Sequence, residues 1–438
     1  MEARHVLKSL KYAWLVAVIL FLFRSFHQTD IYVISVVLPQ ILEEFQITYA
    51  LAGAMFTATT VLSVVFYPVW GYLFDRYSRR LLLSLTGMLW GLTTLLSTVP
   101  RTFAGFLAAR ALTGADNTPP AGIHSLLSDY FPPKKRGKPF GLISSAGAFG
   151  ALLGTIVGVQ IGYALGWRYL FLVTGGLGML MAVVVYFVVR DVPRGSSEPE
   201  LSGLELKEEA YRIRFRQIFG LVKRPSMLFI SLQGFFGVFP WQALTAWAFT
   251  YLLLERGFRE FEAMLVMLVW LTSMIVGNLV GGAVGDFLFS RNISGRAILG
   301  AVDVFLSALL IYLTITWPLG DVSGFIILGT LTCFVMPMAG PNVSASITDF
   351  VEPEARSSAD SLLRVFETAG SSTAPLIVGF LADIYGLGMG ILMISASTWV
   401  VCGALFSILV WIIRKDITKL RNEMKNRAEM LRKTYEPQ

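Results

Sequence analysis

The chain is short of charge, cysteine and histidine. Only 15% of its 438 residues are charged, against about 25% in a typical soluble domain. With 55% hydrophobic residues and a mean hydropathy of +0.64, it lacks the polar surface to clothe a water-soluble body of this size. The two cysteines, Cys333 and Cys402, sit far apart in apolar runs, so there is no disulfide framework and no thiolate metal spacing. The three histidines fall in no ligand pattern, which leaves no zinc constellation. No Gly-x-x-x-x-Gly-Lys-Ser/Thr loop is present to cradle a nucleotide phosphate. A metal enzyme and a nucleotide-driven pump are therefore disfavoured. No cofactor is expected, and the chain reads as a non-enzyme.

Apolar runs fill the space those absences leave. About 20 apolar residues span a bilayer as a helix, and twelve such runs are expected: 12–38, 48–73, 81–99, 102–130, 138–163, 167–190, 225–254, 259–285, 296–317, 321–350, 358–383 and 387–413. The basic start MEARHVLKSLK reads as the flank of an uncleaved first span, because the apolar run behind it is too long for a signal peptide. The fold class is thus an all-α polytopic membrane protein. One gap, 191–224, is long and charged, with PRGSSEPE near its start. It divides the chain into a six-helix bundle over 1–190, a linker over 191–224, a second six-helix bundle over 225–413 and a basic tail over 414–438.

Lysine and arginine set the expected orientation, because positive loops stay cytoplasmic. With the N-terminus inside, 28 of the 36 basic residues fall in inside segments and four in outside gaps. Both termini are then cytoplasmic, and the expected location is the plasma membrane. The same excess accounts for the net charge of +7 without any nucleic acid. The tail RKDITKLRNEMKNRAEMLRK reads as a solvated helix, with contact to anionic lipid headgroups as its second use. Membrane lipids are the expected surroundings of a monomer.

The two halves repeat. DYFPPKKR (129–136) and DFVEPEAR (349–356) share Asp, an aromatic, Pro and Arg at an offset of 220 residues, and Gly150 maps to Gly370 at the same offset. Gly-x-x-x-Asp follows the second span of each half, as Gly71 to Asp75 and Gly282 to Asp286. Two six-helix halves in repeat are the mark of a repeat-built transporter. A glycine lets a helix end approach its neighbour, and an Asp there can meet a helix N-terminus or an arginine. Gly71, Asp75, Arg76, Arg79, Arg80, Arg136, Gly282, Asp286, Arg291, Arg356 and Arg364 are the candidate gating residues.

GYLFDRYSRR (71–80) resembles the signature loop of the major facilitator superfamily, with Gly71, Asp75, Arg76, Arg79 and Arg80 at its positions. RALTGAD (110–116) resembles that superfamily's Arg-x-x-x-Gly-x-Gly element, with Asp116 where the last glycine is common. Gly150, Gly154 and Gly158 resemble its glycine-rich fifth helix, and their spacing of four puts them on one packing face. The resemblance implies two pseudo-symmetric bundles that rock about a central site lined by the first and fourth helices.

Charges at membrane depth mark function more often than not. Counting about 1.5 Å per residue from the outer span ends, Asp30 levels with Arg110 and Arg24 with Asp116. Two cross-helix pairs are expected: Asp30–Arg110 and Arg24–Asp116. Arg110, Asn117 and His124 are spaced by seven and form a stripe with Thr113 and Ser128. Pro119 and Pro120 interrupt that helix and free the carbonyls of Ala115 and Asp116, which at membrane depth suits a cavity wall. His27 lies one turn from both Arg24 and Asp30 and is a candidate proton relay. In the second half, Asp303, Asp360, Arg364 and Glu367 read as a gate or structural cluster, with a coupling role open to Glu367. Gln233, Trp241, Gln242, Asn278 and Asn342 are its candidate ligand contacts.

DIYVISVVLPQI (30–41) resembles the Asp-x-Tyr…Leu-Pro-x-Ile stretch of Spinster-type lysolipid transporters. There an Asp on helix 1 and an Arg on helix 4 belong to the coupling machinery, which would be Asp30 and Arg110. That family carries a Glu seven residues after the Arg; here the position is Asn117, with Asp116 beside it. FPPKKRGKPFGLISSAGAFGALLG and GWRYLF (166–171) look equally like the organic-anion (anion:cation) symporters. The resemblance implies a secondary active transporter of a small organic solute, an organic anion foremost, driven by protons or another ion through symport or antiport. A Spinster-like transporter of lysolipids or amphiphilic drugs is the alternative, and a channel or non-transporting receptor the weaker reading.

Overall fold

A computed structural model describes residues 10–116, 121–131, 137–192, 224–351 and 356–435, with the backbone alone at several helical positions, among them Gly71, Asp75, Arg76, His124, Arg356 and Asp360. The described chain is helical. In the first half run α1 (Leu10–Phe45), α2 (Tyr49–Arg76), α3 (Arg79–Leu96), α4 (Phe103–Leu112), α5 (Ala121–Tyr130), α6 (Gly137–Val157) and α7 (Trp167–Val188). In the second run α8 (Pro225–Leu254), α9 (Glu260–Arg291), α10 (Gly295–Thr316), α11 (Val322–Val335), α12 (Ala339–Phe350), α13 (Arg356–Tyr385) and α14 (Leu387–Tyr435).

Ten stretches among the described residues are long and apolar enough to cross a membrane. α3 and the pair α4–α5 bring the count to the twelve expected from hydropathy. Two of the twelve are broken. After α4 the chain tightens into a 3₁₀ turn, Thr113–Asp116. Between α11 and α12, Met336–Met338 interrupt the helix beside Pro337; Pro341 then sits in the first turn of α12, where its missing N–H costs little. The last span departs from expectation in length: α14 does not stop near residue 413 but continues to Tyr435 as one helix of 49 residues.

The helices cluster into two compact units, Met1–Tyr211 with Thr245–Leu268, and Arg212–Leu244 with Val269–Gln438. Sequence reading placed 245–268 in the second half; in the structure Trp247 packs edge-on against Tyr49 and Phe56, and Phe249 against Tyr163, within the first unit.

Inside the first unit, α6 lies on α1 through its glycines, as their spacing predicts. A Cβ on Gly150 would come within 2.6 Å of the Ser25 carbonyl oxygen, and one on Gly154 within 2.9 Å of Tyr32. Gly158 faces Val36 in the same row. The core beneath holds Leu20, Phe23, Leu126, Leu127 and Phe131. In the second unit, α10 packs on α14 around Val304, Trp399, Cys402 and Phe406. α13 turns into α14 through Gly386 alone, whose φ of +89° suits a residue without a side chain. Gly166 (φ +92°) opens α7 at the equivalent place, 220 residues earlier, and extends the repeat seen in the sequence.

Candidate functional site

The first unit buries a polar cluster between α1, α3, α4 and α7. Asp30 is 2% exposed. The Thr174 hydroxyl donates to its Oδ1 at 2.6 Å, and the Thr94 hydroxyl to its Oδ2 at 2.9 Å. Arg110 Nη1 stands 3.9 Å from Oδ2 and makes no hydrogen bond, while the guanidinium rests over the Phe171 ring at 5.1 Å. The expected Asp30–Arg110 pair is thus present as an ion pair, but hydroxyls satisfy the carboxylate.

The second expected pair is not formed. Asp116, 3% exposed, is held by His27 Nε2 at 3.0 Å and by the Thr93 hydroxyl at 2.9 Å, and Arg24 is not among its partners. Helical azimuth explains the change. At 100° per residue, Arg24 lies about 120° around α1 from Asp30, whereas His27 lies about 60° away and shares its face. Trp90 meets the His27 ring edge-on at 5.3 Å. Thr93 and Thr94, neighbours on α3, therefore serve the two buried carboxyls separately.

The break after α4 is packed, not open. Trp70 Nε1 donates to the freed Ala115 carbonyl at 2.7 Å, and the Thr59 hydroxyl donates to the Arg110 carbonyl at 3.0 Å. The carbonyl of Ala115 lost its helical partner, as the prolines require, and α2 supplied another. Gly114 permits this close approach, since a Cβ there would collide with the backbone of α2. Thr113 donates to the Arg110 carbonyl at 2.7 Å. Asn117 lies outside the described residues, as do the side chains of His124 and Ser128.

In the second unit a cavity of about 590 Å³ collects most of the expected ligand contacts: Gln233, Trp241 and Gln242 from α8 and Asn278 from α9 line it. Arg364 and Glu367 of α13 line the same cavity and pair at 2.8 Å. Asn342 departs from expectation. It is 3% exposed and absent from the cavity wall; its amide donates to the carbonyls of Gly281 and Met338, both at 2.9 Å, and ties α9 to α12.

The gating candidates divide. The side chains of Gly71, Asp75, Arg76 and Arg356, and Arg136 as a whole, lie outside the described residues. Arg79, a gating candidate, is 3% exposed and clamped within its own unit: Nη1 donates to Asp129, and Nη2 to the Val192 carbonyl at 2.7 Å. Burial of an arginine demands a paired carboxylate, and Asp129 at the end of α5 provides it. Arg80 lies over the Tyr186 ring at 4.6 Å, and its backbone N–H donates to Asp191 at 3.1 Å. In the second unit Arg296 bridges Asp286 and Asp349, contacting Asp286 at 2.7 Å. Arg291 instead stacks over Phe287 at 4.3 Å, and a Cβ on Gly282 would meet Pro341 at an ordinary 3.7 Å. Asp129 and Asp349 are the repeat pair found at the offset of 220, so both units carry one Arg–Asp clamp.

Sequence reading missed the three threonines Thr93, Thr94 and Thr174, as well as Arg296, Asp191 and Trp70. The adjacent Thr93–Thr94 in an apolar helix was the one available signal.

Comparison with known proteins follows the same lines. Residues 20–339 match the family described as Major Facilitator Superfamily. Among curated relatives, "Protein spinster homolog 1" of Xenopus tropicalis is 26% identical over 94% of this chain and 84% of its own length. The "Hexuronate transporter" of Bacillus subtilis (strain 168) is 24% identical over 87% of this chain and 91% of its own length. Among solved structures, a bacterial homolog of the human lysosomal transporter Spinster superposes with a TM-score of 0.83 at 18% identity, covering 93% of this chain and 99% of that one. The nucleoside transporter NupG superposes with a TM-score of 0.68 at 15% identity, covering 92% and 98%.

Proposed function

The chain belongs to the Major Facilitator Superfamily, and we propose that it is a proton-coupled secondary transporter moving a small organic anion by alternating access. One observation carries the proton coupling. Asp30 and Asp116 are both buried at membrane depth, and both are held by threonine hydroxyls. A hydroxyl can turn to accept as well as donate, so either carboxyl keeps partners with or without its proton. Arg110, at 3.9 Å and without a hydrogen bond from Nη1, is close enough to sense the charge on Asp30 and loose enough to leave it. Energy comes from the gradient, since the sequence has no phosphate-cradling loop.

Arg364 supports the anionic substrate. Its side chain is 60% exposed on the cavity wall and Glu367 holds it by one contact, so a carboxylate or phosphate solute can take its place with a bidentate one. Gln233, Gln242 and Asn278 offer neutral donors and acceptors beside it, and Trp241 a flat apolar face. A second reading, a lysolipid or amphiphilic drug, is favoured by the apolar part of the same wall, Met336, Trp399 and Phe406. The positive-inside balance supports cytoplasmic termini, and the plasma membrane is the proposed location.

The test is flux into proteoliposomes under an imposed pH gradient, with the solute chosen by a thermal-shift screen of organic anions, lysolipids and cationic amphiphiles. Asp30→Asn is expected to abolish gradient-driven accumulation while exchange of solute across the membrane continues. Undiminished pH-driven accumulation in that variant overturns the coupling role, and stabilisation by lysolipids alone decides for the second reading.

A further inference from the structure

The second unit buries a carboxyl that the reading above leaves unused. Asp303, eight residues past the start of α10, is 2% exposed. One oxygen accepts the Ala339 backbone N–H at 2.7 Å, and the other the Ser307 hydroxyl at a long 3.5 Å. No cation pairs with Asp303 among the described residues. Arg296, on its own helix, is taken by Asp286 and Asp349. From α14 the ionisable group facing it is the Cys402 thiol. α12 presents its N-terminal backbone, and α11 brings no charged side chain. Arg364 and Glu367 belong to α13 on the cavity wall and pair with each other.

A carboxylate at this depth, with one strong donor and no counter-charge, carries a large desolvation cost that a proton removes. The position of its donor gives that proton a consequence. Ala339 is the first residue of α12, directly after the break at Met336–Met338. It also lines the cavity, together with Met336, Val304 and Cys402. An ionised Asp303 holds the positive end of α12 by charge as well as by hydrogen bond. A neutral carboxyl keeps about half the strength of that bond.

We propose that Asp303 is a second proton-binding site, whose ionised form clamps the first turn of α12 against α10 and whose protonated form releases it to reshape the cavity. The step is the addition of one proton from water to a carboxylate oxygen, with nothing oxidised or reduced. The proposal does not depend on proton coupling at Asp30.

Two measurements on the purified protein test it. In pH-difference infrared spectra, the wild type is expected to show a carboxylic-acid C=O band that is lost in Asp303→Asn and kept in Asp30→Asn. In amide exchange corrected for the intrinsic pH dependence, residues 336–345 are expected to speed up by about five- to tenfold as pH falls, the loss of protection expected when a helix cap is weakened. Asp303→Asn is expected to exchange at the faster rate at every pH. A wild-type segment with no pH step overturns the proposal without recourse to any variant, and so does a difference spectrum from which Asp303→Asn removes no acid component. Loss of an acid component in Asp30→Asn together with none in Asp303→Asn overturns it while leaving the coupling role of Asp30 standing.

Discussion

His27 Nε2 lies 3.0 Å from Asp116 Oδ1 inside the first unit, closer than the 3.9 Å between Arg110 and Asp30. The tighter contact belongs to the pair that the level-by-level count along the helices had not joined. The two carboxyls are kept apart by chain order on α3, where Thr93 turns to Asp116 and Thr94 to Asp30.

His27→Ala strands Asp116 with a single hydroxyl donor. A buried acceptor that loses one partner costs about 1–3 kcal/mol, and the variant is expected to unfold at lower temperature in detergent by that amount. Adding Asp116→Asn removes the charge that was stranded, so the double variant is expected to regain about half of the loss. A double-variant cycle showing no coupling between the two positions rejects the pairing.

Glu367 and an anionic solute compete for Arg364, which Glu367 already holds at 2.8 Å. Glu367→Gln removes one carboxylate that competes with solute for the guanidinium, and the KM for an organic anion is expected to fall. Arg364→Gln is expected to raise that KM about tenfold, near the value of one charge-assisted bond, with the maximal rate little changed. Uptake kinetics of both variants with one anionic solute provide the check.

Gly150 and Gly147 lie one turn apart on α6 and differ in what surrounds them. A Cβ at Gly150 meets the backbone of α1, whereas one at Gly147 meets nothing within 4 Å. Gly150→Ala is expected to destabilise by about 1–3 kcal/mol through overpacking. Gly147→Ala is expected to be neutral or to stabilise by up to about 1 kcal/mol through helix propensity. Thermal unfolding of the two variants side by side separates them.

Arg296 holds two carboxylates of unequal burial: the Asp349 side chain is 18% exposed and that of Asp286 73%. Exposed ion pairs contribute little. Asp286→Asn is expected to change stability by less than about 0.5 kcal/mol, and Asp349→Asn to lower it by about 1–2 kcal/mol. Equal losses in the two variants refute the assignment of the clamp to Asp349.

The spans and the repeat were legible because hydropathy and a constant offset are properties of the chain alone. Twelve apolar runs became twelve helical crossings, and the offset joining Asp129 to Asp349 joined two Arg–Asp clamps. Depth along a helix was legible too, which is why Asp30 and Arg110 met. Azimuth was the part that failed: a match in depth paired Asp116 with Arg24, while the face of α1 that turns inward carries His27. The prolines after Asp116 announced a freed carbonyl, but its partner Trp70 lies 45 residues upstream on α2, and no local rule connects the two. Threonines escaped notice because in an apolar helix they usually satisfy themselves on their own backbone, as Thr155 does on Ala151. Asn342 looked like a ligand contact on composition alone; only the packing of α12 against α9 shows both amide hydrogens already used.

The uninterrupted α14 has a mechanical consequence. Trp399, Cys402 and Phe406 place its middle on the cavity wall, and further along Asp416 accepts the Ser226 N–H at the start of α8. At 1.5 Å per residue, Cys402 lies about 21 Å to one side of that tether and Tyr435 about 28 Å to the other. Just past that tether Ile417 is still in the core of the second unit and Leu420 is buried, so one continuous helix joins the cavity wall to that core and runs on to Tyr435. A probe near Tyr435 would report events at Cys402 from about 50 Å away.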